Sequence, residues 1–116
     1  MAFIEYNVSE AVGTTEHSFT FDATYSSASL KTDEGMMQAQ LDVADMVTGD
    51  EVQIRVYKKL SSGGSVLLAY QTNLVGPQNP PVFMLPGIFV KHGFDVTCDA
   101  IAGTITINGS VLVAPV

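Results

Sequence analysis

The chain has a single cysteine and no tryptophan. Cys98 alone allows no intrachain disulfide, and its place in the alternating run FDVTCDAI predicts a buried, inert thiol. Basic residues are scarce too: five Lys and Arg stand against twelve Asp and Glu, a net charge of −7. The acids are scattered from Glu5 to Asp99, the pattern of a solvated surface. Clustered Lys and Arg hold a nucleic-acid backbone by displacing its counterions, so this balance argues against DNA or RNA as a partner. No run of about 18 apolar residues occurs, which argues against a membrane span. The opening MAFIEYNVSE has neither the basic nor the apolar region of a signal peptide, so the expectation is a soluble product of a cytoplasm.

Reactive side chains in recognisable spacing are missing as well. His17 and His92 are the only histidines. No HxH, HExxH or CxxC spacing is present, so neither a metal site nor a cofactor is expected. GxSxG, GxxxxGK[ST] and GxGxxG are all absent, and no catalytic role is expected. The acidic pairs Asp33-Glu34 and Asp50-Glu51 sit in turns, where carboxylates commonly cap backbone amides. Asp45 and Asp50 lack the alternating spacing of a calcium loop.

Apolar residues, by contrast, make up 47% of the chain and charged ones only 15%. Sparse charge implies either a weakly solvated monomer or a subunit that hides part of its surface against neighbours. The apolar positions recur every second residue. Met37, Ala39, Leu41 and Val43 alternate with polar neighbours, as do Val52, Ile54 and Val56. FIEYNV, HSFTFDATY (with Phe19 and Phe21 on one face), SVLLAYQTNLV, VFML with IFV, FDVTCDAI and TITINGSVLVA read the same way. Turn signals separate these runs at intervals of roughly 8–12 residues. The prediction is all-β: one domain over 1–116, an antiparallel, jelly-roll-like β-sandwich of about eight strands.

Residues 51–75 read as a hairpin closed by Ser61-Ser62-Gly63-Gly64, with glycine supplying a positive φ. VTGDE at 47–51 is a tight turn, and Ala102-Gly103 joins two strands. Asn108-Gly109 fits either a hairpin turn or a bulge. Three of the five basic residues cluster in the first arm of the hairpin. Arg55 and Lys58 fall on opposite faces of an ideal strand, with Lys59 back beside Arg55 and Tyr57. Their simplest use is pairing with carboxylates, within the subunit or between subunits, and lysine also discourages edge-to-edge aggregation.

The segments FIEYNVSEAVGTTEHSFTFD, TGDEVQIRVYKKLSSGGS and HGFDVTCDAIAGTITI together resemble the small auxiliary capsid proteins, decoration or cement proteins, of tailed bacteriophages. The resemblance lies in strand order, turn placement and the GDEVQIRVYKK hairpin, although Thr48-Gly49-Asp50 stands in place of a DGD triplet. It implies a β-sandwich on the outer surface of an icosahedral head, often as a homotrimer at threefold positions. The partner implied is the major capsid protein, with localisation to the virion after synthesis in the host cytoplasm. No residue of fixed chemical role comes with it. Attachment should be apolar rather than ionic, because exposed ion pairs contribute only about 0–1 kcal/mol each. The expected contact residues are Phe3, Ile4 and Tyr6 near the N-terminus, Pro80, Pro81 and Phe83 around the proline loop, and Arg55, Lys58 and Lys59. The competing expectation makes residues 3–8 an ordinary edge strand and has Val82, Phe83 and Leu85 plug the sandwich end. Two other functions compete: a tail or neck component, and a carbohydrate- or cell-surface-binding module. The latter would need aromatic platforms, for which Tyr25 and Tyr70 are the candidates.

Overall fold

Alternating apolar residues can bury one face of a strand, and two such faces pressed together make a sandwich. The computed structural model describes residues 3–115 and realises that arrangement. The strands are β1 (Ile4–Val12), β2 (His17–Ser18), β3 (Ala23–Thr24), β4 (Gly35–Asp42), β5 (Glu51–Lys58), β6 (Leu67–Val75), β7 (Val82–Val90), β8 (Phe94–Ala102) and β9 (Ile105–Ala114). One sheet has the order β1-β9-β4-β7 and the other β3-β2-β8-β5-β6. All pairings are antiparallel. With the two-residue β3 set aside, two four-stranded sheets exchange the chain at most connections, which is a jelly roll.

The core forms where the predicted phases meet. Met37, Ala39 and Leu41 of β4 and Val52, Ile54 and Val56 of β5 are buried, as their alternation demands. Phe94, Val96, Cys98 and Ala100 of β8 and Ile105, Ile107, Val111 and Val113 of β9 join them. Burial pushes the Cys98 thiol up to about 12, so it is an inert core residue. The hairpin of 51–75 forms as β5–β6, and the 47–51 turn closes through the Asp50 amide on the Val47 carbonyl with Gly49 at φ +97°.

Three local expectations need correction. HSFTFDATY is not one strand: it turns back on itself, pairing His17 with Thr24 and Ser18 with Ala23. Phe19 is consequently buried while Phe21 is exposed beneath the Lys31 ammonium. The β5–β6 connection spans residues 59–66 and is longer than its glycines suggest, and Gly63 and Gly64 are not at positive φ. Ala102-Gly103 joins β8 to β9 as expected, and the two strands it joins belong to different sheets. Asn108-Gly109 is neither turn nor bulge: both residues lie inside β9, in unbroken register with β1 and β4.

Candidate contact surface

A sheet edge presents unpaired backbone groups, and proteins usually blunt it with charge, proline, a bulge or brevity. Here β3 has only two residues. The β1 edge carries Glu5 and Glu10. Pro86 interrupts β7, where the register against β4 shifts. The β6 edge has neither of the first two devices. Its nine residues, LLAYQTNLV, contain no charge and no proline. Its ladder to β5 shifts register only near Ala69. Leu67, Leu68 and Val75 are about half or more exposed along it.

The segment 76–81 carries the chain from β6 to β7, the edge strand of the other sheet. Pro80 and Pro81 are exposed there, and the Asn79–Pro80 peptide is cis. On β7, Val82, Met84 and Phe89 continue the exposed apolar surface, with Met84 at 69%. Phe83 is half-buried and packs against the core. Two edge strands and their proline-containing link therefore bring backbone donors, acceptors and apolar side chains together. Such a surface can add a strand or seat an apolar partner, and it holds no reactive group.

The expected contact residues divide accordingly. Phe3, Pro80 and Pro81 are exposed. Ile4 and Tyr6 face inward on β1 and pack against the core, so the N-terminal segment is an edge strand rather than a free arm. The Tyr6 hydroxyl donates to Asp33, and burial followed by this contact pushes its pKa up. The basic cluster is engaged within the subunit. Arg55 lies 2.8 Å from Asp99 and 3.4 Å from Glu16. Burial alone would lower the Arg55 pKa, but the two carboxylates outweigh it and raise it. Lys58 donates to the Phe89 carbonyl instead of pairing with a carboxylate. Lys59 is half-buried, and its amide donates to the Gly93 carbonyl.

Glu16 organises the outer face of the second sheet. It accepts from Tyr57 at 2.9 Å and from Thr97 at 2.5 Å. Burial, then the hydrogen bond to Glu16, pushes the Tyr57 phenol up to about 12. Tyr25 stacks on Tyr57 with centroids 4.4 Å apart, and Tyr70 packs against the core. Both candidate platforms for a sugar are thus half-buried in internal contacts. Below them, Asp95 is fully buried and accepts from Ser18 at 2.9 Å and Thr20 at 2.8 Å.

One grouping escapes motif spacing. Glu10, His17 and Asp22 place one ligand atom each within 4.8 Å of one another. The exposed Leu67, Leu68, Val75 and Phe89 carry no mark in the sequence, because alternation reveals a strand's two faces but not whether the strand is at an edge.

No protein-family model matches the chain, and no curated protein matches it.

Proposed function

We propose that the chain is a structural subunit of a bacteriophage particle, a decoration or cement protein on the outside of an icosahedral head. Its partners in this reading are the major capsid protein and further copies of itself, in the trimer that the resemblance implies. The observation that carries the reading is the uncharged β6 edge running through the proline segment into the apolar outer side of β7. A net charge of −7 suits a position away from packaged DNA. The jelly roll is compatible with a shell component, but it hosts other functions and adds no argument by itself. Attachment through apolar groups and backbone needs no reacting residues, and this reading gives the chain no catalytic role.

The test uses heads lacking the protein, to which purified protein is added back. Bound protein should stay on the particles in molar salt. Leu68→Glu combined with Met84→Glu should abolish binding while the variant unfolds at the wild-type temperature. Release of the wild-type protein by moderate salt, or normal binding by the double variant, would overturn the reading.

A further inference from the structure

We propose that Glu10, His17 and Asp22 bind a divalent transition-metal cation of the zinc type, tying the two sheets together where β1 meets β2. The argument starts from the phase of β1. Ile4, Tyr6, Val8 and Val12 are the less exposed residues of this strand, and Glu10 shares their parity. It pairs with Ile107, which is fully buried. The Glu10 side chain is 35% exposed, so its carboxylate sits at the rim of the core side, facing the other sheet while still reached by water.

His17 faces it from the other sheet. It pairs with Cys98, a core residue, and its side chain is only 16% exposed. Nε2 lies 3.7 Å from Glu10 Oε2 and 3.2 Å from Asp22 Oδ1. Two ligand atoms held about 2.1 Å from a tetrahedral zinc ion lie about 3.4 Å apart, so both separations suit a shared ion. Asp22 comes from the short turn between β2 and β3. Three chain segments thus converge on one point.

Charge favours a cation at that point. Among the described residues, no Lys or Arg lies within ion-pairing distance of Glu10 or Asp22; the one basic side chain beside them is His17. Whenever the imidazole is neutral, two carboxylates and a nitrogen lone pair face one another without a compensating positive charge. An adjoining cleft of about 240 Å³, lined by Glu10, Gly13, Thr14, His17 and Thr24 among others, leaves room for water to complete the coordination. One imidazole with two carboxylates suits zinc, nickel or cobalt better than calcium or magnesium, which prefer all-oxygen shells. The competing occupant is a proton, which would make the three groups an imidazolium–carboxylate link.

Titration calorimetry with zinc chloride on EDTA-stripped, dialysed protein distinguishes the two. Wild type should take up one equivalent of zinc and gain about 5 °C in Tm, with no comparable gain from calcium or magnesium. His17→Gln should abolish the stoichiometric uptake, and Glu10→Gln should weaken it at least tenfold. Asp22→Asn, at a side chain 75% exposed, should do the same while leaving the metal-free Tm unchanged. That variant keeps the test valid if His17→Gln does not fold. His92→Gln should bind as wild type. Absence of uptake by wild type, undiminished uptake by the folded variants at these three positions, or loss of uptake in His92→Gln would each overturn the proposal.

Discussion

Gly109 lies in the middle of β9 because the neighbouring strand leaves no space for a side chain. A Cβ there would stand 2.0 Å from the Gln40 carbonyl oxygen and 2.9 Å from Leu41 Cα, and φ is +151°. Gly109→Ala should therefore cost at least about 2 kcal/mol in chemical denaturation. An unchanged midpoint would mean that β4 and β9 do not approach so closely. Asn108-Gly109 looks like a turn in the sequence because glycine signals backbone freedom without revealing which neighbour demands it. Ile54 is legible: its alternation predicts an inward side chain, and it is fully buried. Ile54→Ala should cost about 2–5 kcal/mol by the same measurement. Asp95 contributes a pH dependence. Burial raises its pKa, opposed by hydrogen bonds from Thr20, Ser18 and backbone amides. A carboxyl with a higher pKa folded than unfolded contributes stability that is complete below the unfolded value, about 3.9, and is lost as pH rises through the folded one. The stability of Asp95→Asn relative to wild type should therefore increase with pH from about 4 towards neutrality. A flat difference across that range would show that the carboxyl ionises as it would in water.

Among the elements, β5 joins a legible inner face to a less legible outer one. Its inward Val52, Ile54 and Val56 follow from period two, whereas its outward Arg55 finds partners in two distant segments, at Glu16 and Asp99. The prediction that the basic cluster pairs with carboxylates is met at Arg55, but Lys58 takes a backbone carbonyl. Arg55→Ala leaves two half-buried carboxylates facing each other and should cost about 1–3 kcal/mol. The cost should shrink when Glu16→Gln and Asp99→Asn are also present; equal costs in both backgrounds would deny the coupling. HSFTFDATY conceals its turn for a related reason. The alternation of Phe19 and Phe21 is local, while Ser18 and Thr20 are drawn to Asp95, 77 and 75 residues away. β6 invites an experiment of its own. Under the proposal that copies meet at this edge, wild type should associate with rising concentration in analytical ultracentrifugation and Leu68→Lys should associate less, since a charge now guards the edge. Unaltered association would place the contact between copies elsewhere.

For the whole molecule, the fold class was readable because period two and frequent turns leave few alternatives to a sandwich. The contact surface was only partly readable, since exposure depends on which strands end each sheet, and that is a property of topology. The strand order also bears on how the chain reaches its native state. In the β1-β9-β4-β7 sheet, no two neighbours are consecutive in sequence. β1 must wait for β9, whose partner positions run from Ile105 to Val113, and β2 must wait for Thr97 and Cys98 of β8. On a ribosome, the first strand thus emerges long before its mate exists, and only β2–β3 and β5–β6 can pair early. Loop-closure entropy is paid before most of the ladder forms, so refolding should be slow for a chain this short, in the range of about milliseconds to seconds. Stopped-flow refolding completed in microseconds would contradict that order of events. While it waits, the nascent chain exposes unpaired apolar strands, which makes nascent copies on one message the ones most at risk of pairing with each other.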